Sequence, residues 1–463
     1  MITSSILLLF GIGFVAAVVL AAASKVFYVE EDPRIQEVND ALAGAQCGGC
    51  GFPGCTPAAK AVVAGKAGAN VCVVGGQEVA EAVARIMGLT VVTMEPKLAE
   101  VDCTGGQRAE TIYHYEGVRD CRAQHLLHAG SKFCPEGCLG EGSCVRACPF
   151  DAIHMGPHGY PVVDPTACRA CYKCVEACPR GVMSVQGITD RIQHLNETTD
   201  CLAPCRQKCP GSINIPKYIE YISQGDFANA VLTIKERIPL LLVCGRVCPR
   251  PCETMCRRQH VDEPVAINML KRFVADWEMN SGTRLPIPCS PDTGNKVAII
   301  GGGPAGLTCA YFLRRLGHKP TIIESLPELG GQLRYGIPEY RLPKQVLDWE
   351  IQGILDLGVD VQTNVKFGRD LDIEELGRKG FKAVFLSFGA WDSREMGIEG
   401  EDLPGVINGT EMLTKVGLGV GTGVGKKVVV VGGGNTAIDT ARTSVRNGAD
   451  VTMMYRRTEK EMP

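Results

Sequence analysis

The sequence lacks an excess of charge of either sign, and it has few aromatic residues. Its 48 basic and 51 acidic side chains give a formal net charge of -3, and aromatic residues make up 6% of the chain. Proteins that bind nucleic acid usually present a clustered basic surface, whereas the two signs are mixed along this chain. We therefore expect no nucleic-acid partner. No C-x2-C-H motif occurs either, which excludes covalently bound c-type haem.

Charge is missing altogether from residues 1–24, and residues 6–23 form an unbroken run of Ile, Leu, Phe, Val, Ala and Gly. In a helix such a run rises about 27 Å, close to the thickness of a bilayer core. We predict a single-pass transmembrane anchor over residues 1–30, in contact with lipid. A cleaved signal peptide is the alternative because "AAAS" at 21–24 resembles a cleavage site, although no basic segment precedes the apolar run.

Cysteine is the most informative residue type. Of the 23 cysteines, 21 lie within residues 47–256. Disulfides, structural zinc and iron-sulfur clusters compete as explanations. The odd total and the closely spaced C-x2-C and C-x3-C pairs favour metal chelation over a disulfide framework. Because reduced thiols require a reducing compartment, we place the cysteine-rich part on the cytoplasmic side of the inner membrane.

The first cysteine motif is "CGGCGFPGC" at residues 47–55, with a fourth cysteine further on. It reads C-x2-C-x4-C-x16-C, and its members are Cys47, Cys50, Cys55 and Cys72. A 4Fe-4S cluster takes four thiolates, and intervening glycines let the backbone approach the cluster closely. Structural zinc is the alternative, but zinc sites more often combine two C-x2-4-C pairs. The spacing therefore favours a 4Fe-4S cluster.

The second motif is an internal repeat, in which "CVRACPFDAI" and "CVEACPRGVM" start 30 residues apart. The later copy completes the C-x2-C-x2-C-x3-C-P run of bacterial ferredoxins, whose last cysteine binds the opposite cluster. The earlier run is stretched to C-x3-C-x5-C-x3-C-P. Crossed ligation predicts two neighbouring clusters. One set would be Cys134, Cys138, Cys144 and Cys178, and the other Cys148, Cys168, Cys171 and Cys174.

A third cysteine group lies within residues 201–256. Its members are Cys201, Cys205, Cys209, Cys244, Cys248, Cys252 and Cys256. Between its two halves, residues 215–238 show apolar side chains at helical spacing, which predicts a helix. Seven thiolates hold two clusters only if a non-cysteine ligand completes the eighth position. We thus expect three well-defined clusters and up to five in total, with Cys103 and Cys121 as extra ligands, a redox pair or structural residues.

A glycine-rich turn follows the cysteine-rich half. "KVAIIGGGPAG" at 296–306 combines an apolar strand, a G-x-G-x-x-G turn on Gly301, Gly303 and Gly306, and the start of a helix; Glu324 ends the next predicted strand. Such glycines let a pyrophosphate approach the helix N-terminus, and the carboxylate suits a ribose hydroxyl. The pattern predicts a dinucleotide site.

A second turn, "KVVVVGGGNTAIDTA", places Gly432 and Gly434 after another apolar strand. Here the following strand leads into Arg456 and Arg457 instead of an acid. Two guanidiniums suit a 2'-phosphate and favour NADP(H) over NAD(H), whereas a solvated charged edge is the alternative. Only two strands of this second sheet are evident before residue 463, so we predict that this nucleotide domain is incomplete.

With these motifs in place, residues 1 to about 187 resemble the B subunits of Rnf complexes, the membrane-bound ion-translocating ferredoxin:NAD oxidoreductases. The resemblance rests on the apolar N-terminus, "CGGCGFPGC", "CLGEGSCVRACPFDAIHMG" and "CRACYKCVEACPRG". Residues from about 198 onward resemble the flavin-bearing small subunits of NAD(P)H-dependent glutamate synthases, through "CGRVCPRPCE", "GGQLRYGIPEYRLPK" and both glycine-rich turns.

The first resemblance implies an electron-transfer subunit of a translocase. It would take electrons from soluble ferredoxin and pass them to other Rnf membrane subunits, which couple their transfer to NAD with Na+ or H+ export. The second implies NAD(P)H and FAD, which converts a two-electron hydride into single electrons. Two alternatives stay open: a membrane-anchored NADPH:ferredoxin oxidoreductase without ion coupling, and a zinc-bound interaction scaffold.

The predicted architecture is multidomain, with small α+β iron-sulfur domains of the bacterial two-cluster ferredoxin type, a helical iron-sulfur domain and a Rossmann-like α/β part. In chain order, we expect an anchor (1–30), a 4Fe-4S domain (31–100), a connector (101–130), a ferredoxin-like domain (131–187), a helical iron-sulfur domain (188–290), an FAD-binding domain (291–425) and a partial NAD(P)-binding domain (426–463).

Metal analysis checks the cysteine interpretation directly. Five 4Fe-4S clusters would give about twenty iron atoms and about twenty acid-labile sulfides per chain in anaerobically prepared protein. Three clusters would give about twelve of each. Stoichiometric zinc with neither iron nor sulfide would contradict the prediction.

Overall fold

The computed structural model describes residues 2–26, 32–91, 93, 95–103, 105–195, 197, 202–393 and 395–462, with the backbone alone for residues 2–9 and 26. The first element is helix α1 (Ile2–Val26). Within these ranges, no helix combines the length and apolar character needed to cross a bilayer. The predicted anchor is therefore not confirmed, and part of its span lies among residues whose side chains are not described.

Residues 32–91 form a small helical unit around a core of short apolar side chains. Its helices are α2 (Pro33–Ala41), α3 (Cys55–Val63) and α4 (Gly76–Met87). Helix α2 starts where the side chain of Asp32 accepts the backbone N–H of Arg34 at 2.9 Å, which satisfies one of the free N–H groups of the first turn. Val38 and Val83 are fully buried where the helices meet. This packing fixes the cysteine-rich loop between α2 and α3.

The next unit is a two-fold repeat in which each half combines a short helix with a two-stranded antiparallel sheet. Its elements are β1 (Leu98–Val101), α5 (Cys121–His125), α6 (Ser143–Ala147), β2 (Ile153–Met155), β3 (Pro161–Val163), α7 (Lys173–Ala177), β4 (Met183–Gln186) and α8 (Ile188–Gln193). Strand β1 pairs antiparallel with β4, and β2 pairs antiparallel with β3. Helices α6 and α7 occupy equivalent places in the repeat, as the 30-residue spacing predicts.

One predicted boundary differs from the structure. Residues 98–101, placed by sequence at the junction of the first 4Fe-4S domain and a connector, form β1 and belong to the ferredoxin-like unit. The connector also joins this unit, since Thr111 forms a β-bridge with Lys132. Strand β1 is short and separated from its partner β4 by more than eighty residues, so local sequence patterns do not reveal the pairing.

A helical unit follows, consisting of α9 (Pro204–Lys208), α10 (Ile215–Ser223), α11 (Phe227–Lys235), α12 (Leu241–Val247) and α13 (Ile267–Asn280), with 3-10 turns at Glu253–Met255 and Arg257–His260. The single helix predicted over residues 215–238 is two helices. Gly225 adopts a left-handed backbone (φ 74°), and Asp226 then caps α11 by accepting the N–H of Asn229 at 3.1 Å. A glycine followed by an N-cap residue ends one helix and starts the next.

The C-terminal part contains two parallel sheets. The first comprises β5 (Lys296–Ile300), α14 (Pro304–Arg315), β6 (Lys319–Ile323), α15 (Gln332–Tyr335), α16 (Lys344–Leu355), β7 (Asp360–Gln362), α17 (Ile373–Arg378) and β8 (Phe381–Leu386), with strand order β7-β6-β5-β8. The second comprises α18 (Gly409–Gly417), β9 (Lys427–Val431), α19 (Asn435–Arg446), β10 (Asp450–Met454) and a 3-10 turn at Glu459–Glu461.

The second sheet pairs two strands, β9 with β10, in the described residues. Apolar side chains on these strands are exposed, among them Val429 at 61% and Met454 at 60%. A two-stranded sheet buries too little apolar surface to be stable alone, and the incompleteness of this nucleotide domain stays a prediction.

Glu350 joins the helical unit to the four-stranded sheet and its helices. This part contains the predicted FAD-binding turn and is called the flavin-type sheet. Glu350 lies on α16 and is 5% exposed, and its carboxylate accepts the backbone N–H groups of Leu242 and Val243 in the first turn of α12, the latter at 2.9 Å. Burial raises the pKa of Glu350 to about 8, although these two N–H groups lower it in part. Nearby, the hydroxyl of Tyr311 donates to the carbonyl of Lys235 at 2.9 Å.

We predict that Glu350 makes stability depend on pH. Its pKa is higher in the folded protein than in the unfolded chain, so folding retains a proton, and stability falls as pH rises from about 4.5 to about 8. The slope of this contribution is at most about 1.4 kcal/mol per pH unit. Glu350→Gln removes the titration, and its thermal midpoint should vary less with pH over this window. The exposed Glu374→Gln variant serves as control. If the thermal midpoint varied equally with pH in the wild type and in both variants, the prediction would be contradicted.

Candidate iron-sulfur and nucleotide sites

The structure brings the first four predicted thiols together. Cys47, Cys50, Cys55 and Cys72 line one cavity. The loop curls around it through Gly54, which has φ 139° and precedes α3. A Cβ atom there would lie 2.5 Å from Oε1 of Gln46, the oxygen that accepts the N–H of Cys55 at 2.9 Å. Only glycine therefore allows this loop to close on the cavity.

The second cavity combines cysteines from both halves of the repeat. It is lined by Cys148, Cys168, Cys171 and Cys174, the set that crossed ligation predicts. Cys148 follows α6, whereas Cys174 lies in α7. The N–H of Ala99 in β1 points at Sγ of Cys168 at 3.5 Å, so the strand missed by sequence analysis donates to one of these sulfurs.

The third cavity differs by one residue from the predicted set. It is lined by Cys121, Cys138, Cys144 and Cys178, and Cys134 is not among its lining residues. Burial raises the pKa of Cys138 to about 12 and that of Cys144 to about 11. These thiols are therefore protonated without metal, and cluster binding must displace their protons.

The helical unit holds the third predicted cysteine group, except Cys201, which lies outside the described residues. Cys205, Cys209 and Cys252 pack into one core, and the pKa of Cys252 is raised to about 11 by burial and then by the adjacent Cys209. Cys244, Cys248 and Cys256 lie in or next to α12 and the 3-10 turns. Sequence analysis missed the lysine beside them.

That residue is Lys271 on α13, which is 6% exposed. Its ammonium lowers the pKa of both Cys244 and Cys252, although burial dominates and holds each at about 11. A buried cation stabilises thiolates next to it. The third cysteine group therefore contains a positive charge that offsets part of its negative charge.

The donor sets fit iron-sulfur clusters. Four thiols line each of three cavities, and backbone N–H groups approach sulfurs at Cys47, Cys168 and Cys248 within 3.5 Å. Thiolate ligands with amide donors to sulfur are typical of such clusters. No set of three or more His, Cys, Asp or Glu in the described part of the chain is arranged to hold a single metal ion.

The first and second cavities touch through their loops. A Cβ atom on Gly49 would lie 3.1 Å from the carbonyl oxygen of Cys171 and 3.3 Å from its Cα atom. The two backbones therefore meet with no side chain between them. The small helical unit of residues 32–91 therefore contacts the ferredoxin-like unit where Gly49 meets Cys171.

The predicted dinucleotide residues surround the largest of the described cavities, which has a volume of about 840 Å³ and includes Gly301, Gly303 and Glu324 in its lining. A Cβ atom on Gly306 would lie 1.9 Å from the carbonyl oxygen of Gly301, so the third glycine lets α14 pack against the turn. Glu324 is 5% exposed, and its carboxylate accepts the N–H of Gly302 at 2.7 Å. The same carboxylate also accepts the N–H of Leu326 at 2.8 Å and the hydroxyl of Ser325 at 3.1 Å, which leaves one of its about four lone-pair sites for a ribose hydroxyl.

The second turn has the same form. Gly432 has φ 126°, Gly434 caps α19, and the ring of Tyr455 lies within 3 Å of where a Cβ atom on Gly433 would be. Arg456 and Arg457 follow β10 and are exposed. Their exposure leaves them accessible to a 2'-phosphate, and this role stays a prediction.

Family comparisons agree with this division of sites. An Fe-S cluster family matches residues 42–74, and a 4Fe-4S dicluster domain matches residues 133–182. Dihydropyrimidine dehydrogenase domain II, 4Fe-4S cluster, matches residues 184–283, and pyridine nucleotide-disulphide oxidoreductase matches residues 295–461. The chain joins 4Fe-4S domains to a pyridine nucleotide oxidoreductase domain. The prediction of 4Fe-4S clusters, FAD and NAD(P)H as its cofactors is confirmed.

Curated relatives each match part of the chain. The chain is 48% identical over 267 residues to the beta subunit of the NADPH-Fe(3+) oxidoreductase of Geobacter sulfurreducens, covering 56% of this chain and 40% of that protein. It is 38% identical to the small chain of the NADPH glutamate synthase of Escherichia coli, over 56% of this chain and 58% of that protein.

A third curated relative matches a smaller share of the chain. It is the B subunit of the Na(+)-translocating ferredoxin:NAD(+) oxidoreductase complex of Acetobacterium woodii, which is 49% identical over 179 residues, 38% of this chain and 52% of that protein. The chain thus spans between 40% and 58% of these three relatives. Both resemblances seen in the sequence are supported in part, because each of these relatives matches only part of the chain.

We predict that Gly306→Ala lowers the amount of bound FAD to less than about half, because its methyl group would overlap the Gly301 carbonyl and overpack the turn. Absorbance at flavin wavelengths after denaturation measures the content. Gly377→Ala on α17 is the matched control, since a Cβ atom there meets nothing within 4 Å. Wild-type flavin content in Gly306→Ala would contradict this assignment.

Proposed function

We propose that this chain is an electron-transfer subunit of an Rnf-type ferredoxin:NAD oxidoreductase, carrying a second entry point for electrons at its flavin end. Bound FAD would exchange a hydride with NAD(P)H and release single electrons. Clusters bound in the cysteine-lined cavities would carry these electrons toward the N-terminal unit. They could also carry electrons that come from reduced ferredoxin. The observation that carries the proposal is the direct contact between Gly49 and Cys171, which puts two cluster cavities next to each other.

Packing inside the ferredoxin-like unit supports a continuous route. Cysteines of its two cavities belong to one core, which includes Cys144, Cys148, Cys174 and Cys178. Helices α6 and α7 pack against each other. The second and third cavities, each lined by cysteines from both halves of the repeat, are therefore neighbours. An electron that enters either cavity is thereby close to the other.

Contacts of the helical unit support the rest of the route. Glu220 on α10 pairs with His158 of the ferredoxin-like unit at 3.3 Å. At its other side, Glu350 of the flavin-type sheet holds the first turn of α12, the helix that contains Cys244. The helical unit that holds the third cysteine group therefore contacts both the ferredoxin-like unit and the helix α16 that packs beside the four-stranded sheet.

The membrane role extends the similarity of the N-terminal half to the B subunit of an Rnf complex. Apolar side chains along α1 are exposed, among them Phe10 at 76% and Leu20 at 70%, and an exposed apolar surface of this kind suits lipid or a partner helix. We place the chain at the inner membrane with its cluster units in the cytoplasm, beside other Rnf membrane subunits. Those partners would carry out Na+ or H+ export.

The second candidate is an NADPH-dependent oxidoreductase without ion coupling. The similarity to the beta subunit of an NADPH-Fe(3+) oxidoreductase, which covers the larger share of this chain, favours it. Purification in mild detergent separates the two functions. Retained integral membrane subunits support the Rnf-type assembly, whereas an isolated chain whose flavin is reduced by NADPH and which has no membrane partner supports the second candidate.

We predict that Gly49→Val slows reduction of the N-terminal cluster while leaving the iron content intact. Its side chain would push the loop away from the backbone of Cys171, and transfer between neighbouring centres falls steeply with separation. The freeze-quenched electron paramagnetic resonance signal should develop at least about tenfold more slowly after NADPH or reduced ferredoxin is added, with Gly49→Ala intermediate because its single methyl group fits more easily. Unchanged kinetics in Gly49→Val would contradict the route.

A further inference from the structure

The first half of the ferredoxin repeat lacks one thiol. Cys138, Cys144 and Cys148 have the same spacing as Cys168, Cys174 and Cys178, 30 residues later. The remaining cysteine of the later run, Cys171, corresponds to Glu141 in the earlier run. Cys134, four residues before Cys138, has no counterpart in the later copy. The repeat itself therefore leaves one of the eight ligand positions to be supplied from elsewhere.

Cys121 occupies that place in the structure. It lines the third cavity together with Cys138, Cys144 and Cys178, although it lies well before the repeat in sequence. It is the first residue of α5, and Asp120 caps this helix by accepting the N–H groups of Arg122 at 2.8 Å and Ala123 at 3.1 Å. The cap holds the start of the helix, and with it Cys121, at the cavity wall.

Hydrogen bonds attach this helix to the repeat. The backbone N–H of Cys121 donates to Oγ of Ser143 at 2.8 Å, and this hydroxyl donates to Oδ2 of Asp120 at 2.9 Å. Ser143 is 7% exposed and directly precedes Cys144. The position of Cys121 is thereby fixed relative to a cysteine of the same cavity.

Cys134 is not among the residues that line this cavity. Its carbonyl accepts from Nη1 of Arg180 at 3.0 Å, and its sulfur lies 3.2 Å from where a Cβ atom on Gly137 would be. Glu141 does not line the cavity either, and its carbonyl accepts from Nη1 of Arg146 at 2.8 Å. Neither of these two residues contributes to the lining.

We infer that Cys121 is the fourth thiolate ligand of the cluster bound by Cys138, Cys144 and Cys178, and that Cys134 is not a ligand. A residue from the segment before the repeat replaces the cysteine that the earlier run lacks at Glu141. The inference rests on the proposed iron-sulfur assignment of this cavity.

Variants of the full chain, prepared anaerobically, test it by iron and acid-labile sulfide content. Cys121→Ser should lose about four of each per chain, as Cys144→Ser does, whereas Cys134→Ser keeps the wild-type content. Adding Glu141→Cys to Cys121→Ser restores the C-x2-C-x2-C run and should return the lost iron. Full content in Cys121→Ser together with loss in Cys134→Ser would overturn the inference. Full content in Cys144→Ser would instead refute the cluster assignment itself.

Thiol labelling of the wild-type protein gives a second readout that does not depend on folding of the variants. Mass spectrometry after iodoacetamide treatment should find Cys134 modified and Cys121 protected. Cys121 should become reactive when the clusters are removed with an oxidant and a chelator, because a metal-bound thiolate is no longer available to the reagent. The reverse pattern, with Cys121 modified in the holoprotein and Cys134 protected, would also overturn the inference.

Discussion

The structure depends on one constraint: thiols that are distant in sequence must meet in groups of four around spaces only large enough for a small inorganic cluster. Burying so many protonated thiols and backbone amides next to one another contributes little stability by itself. Binding of a cluster requires the thiols to ionise, as the raised pKa values of Cys138, Cys144 and Cys252 illustrate. Cluster insertion and folding are therefore coupled events in this chain.

Crossed sharing of cysteines makes the ferredoxin-like unit indivisible. Cys148 and Cys178 each follow the helix of one half but line the cavity built mainly by the other. Strand β1 and helix α5, both from outside the repeat, complete its sheet and its third cavity. Neither half can form a complete site alone, so loss of one cluster should weaken the packing around the other.

Local patterns were sufficient for much of the fold and the site. The loop around Cys47, the first glycine-rich turn with Glu324, and the later half of the repeat were predicted because their residues lie close together in sequence. The third cavity differs from its prediction at one position. Cys134 is nearer than Cys121 to Cys138 in sequence, but tertiary packing decides which of the two side chains lines the cavity. The break at Gly225 and the pairing of β1 were missed for related reasons, since a helical pattern continued past the glycine and the partner strand is remote.

Glycine at position 49 has a consequence for the whole assembly. Its missing side chain lets two loops meet backbone to backbone at Cys171, so the distance between the adjoining cavities depends on how closely the N-terminal unit docks there. A shift of that unit by about the width of one methyl group would increase the distance between the two cavities without moving any thiol within its own cavity. In the proposed route, the position of this small helical unit would set the distance that an electron must cross between the first two cavities.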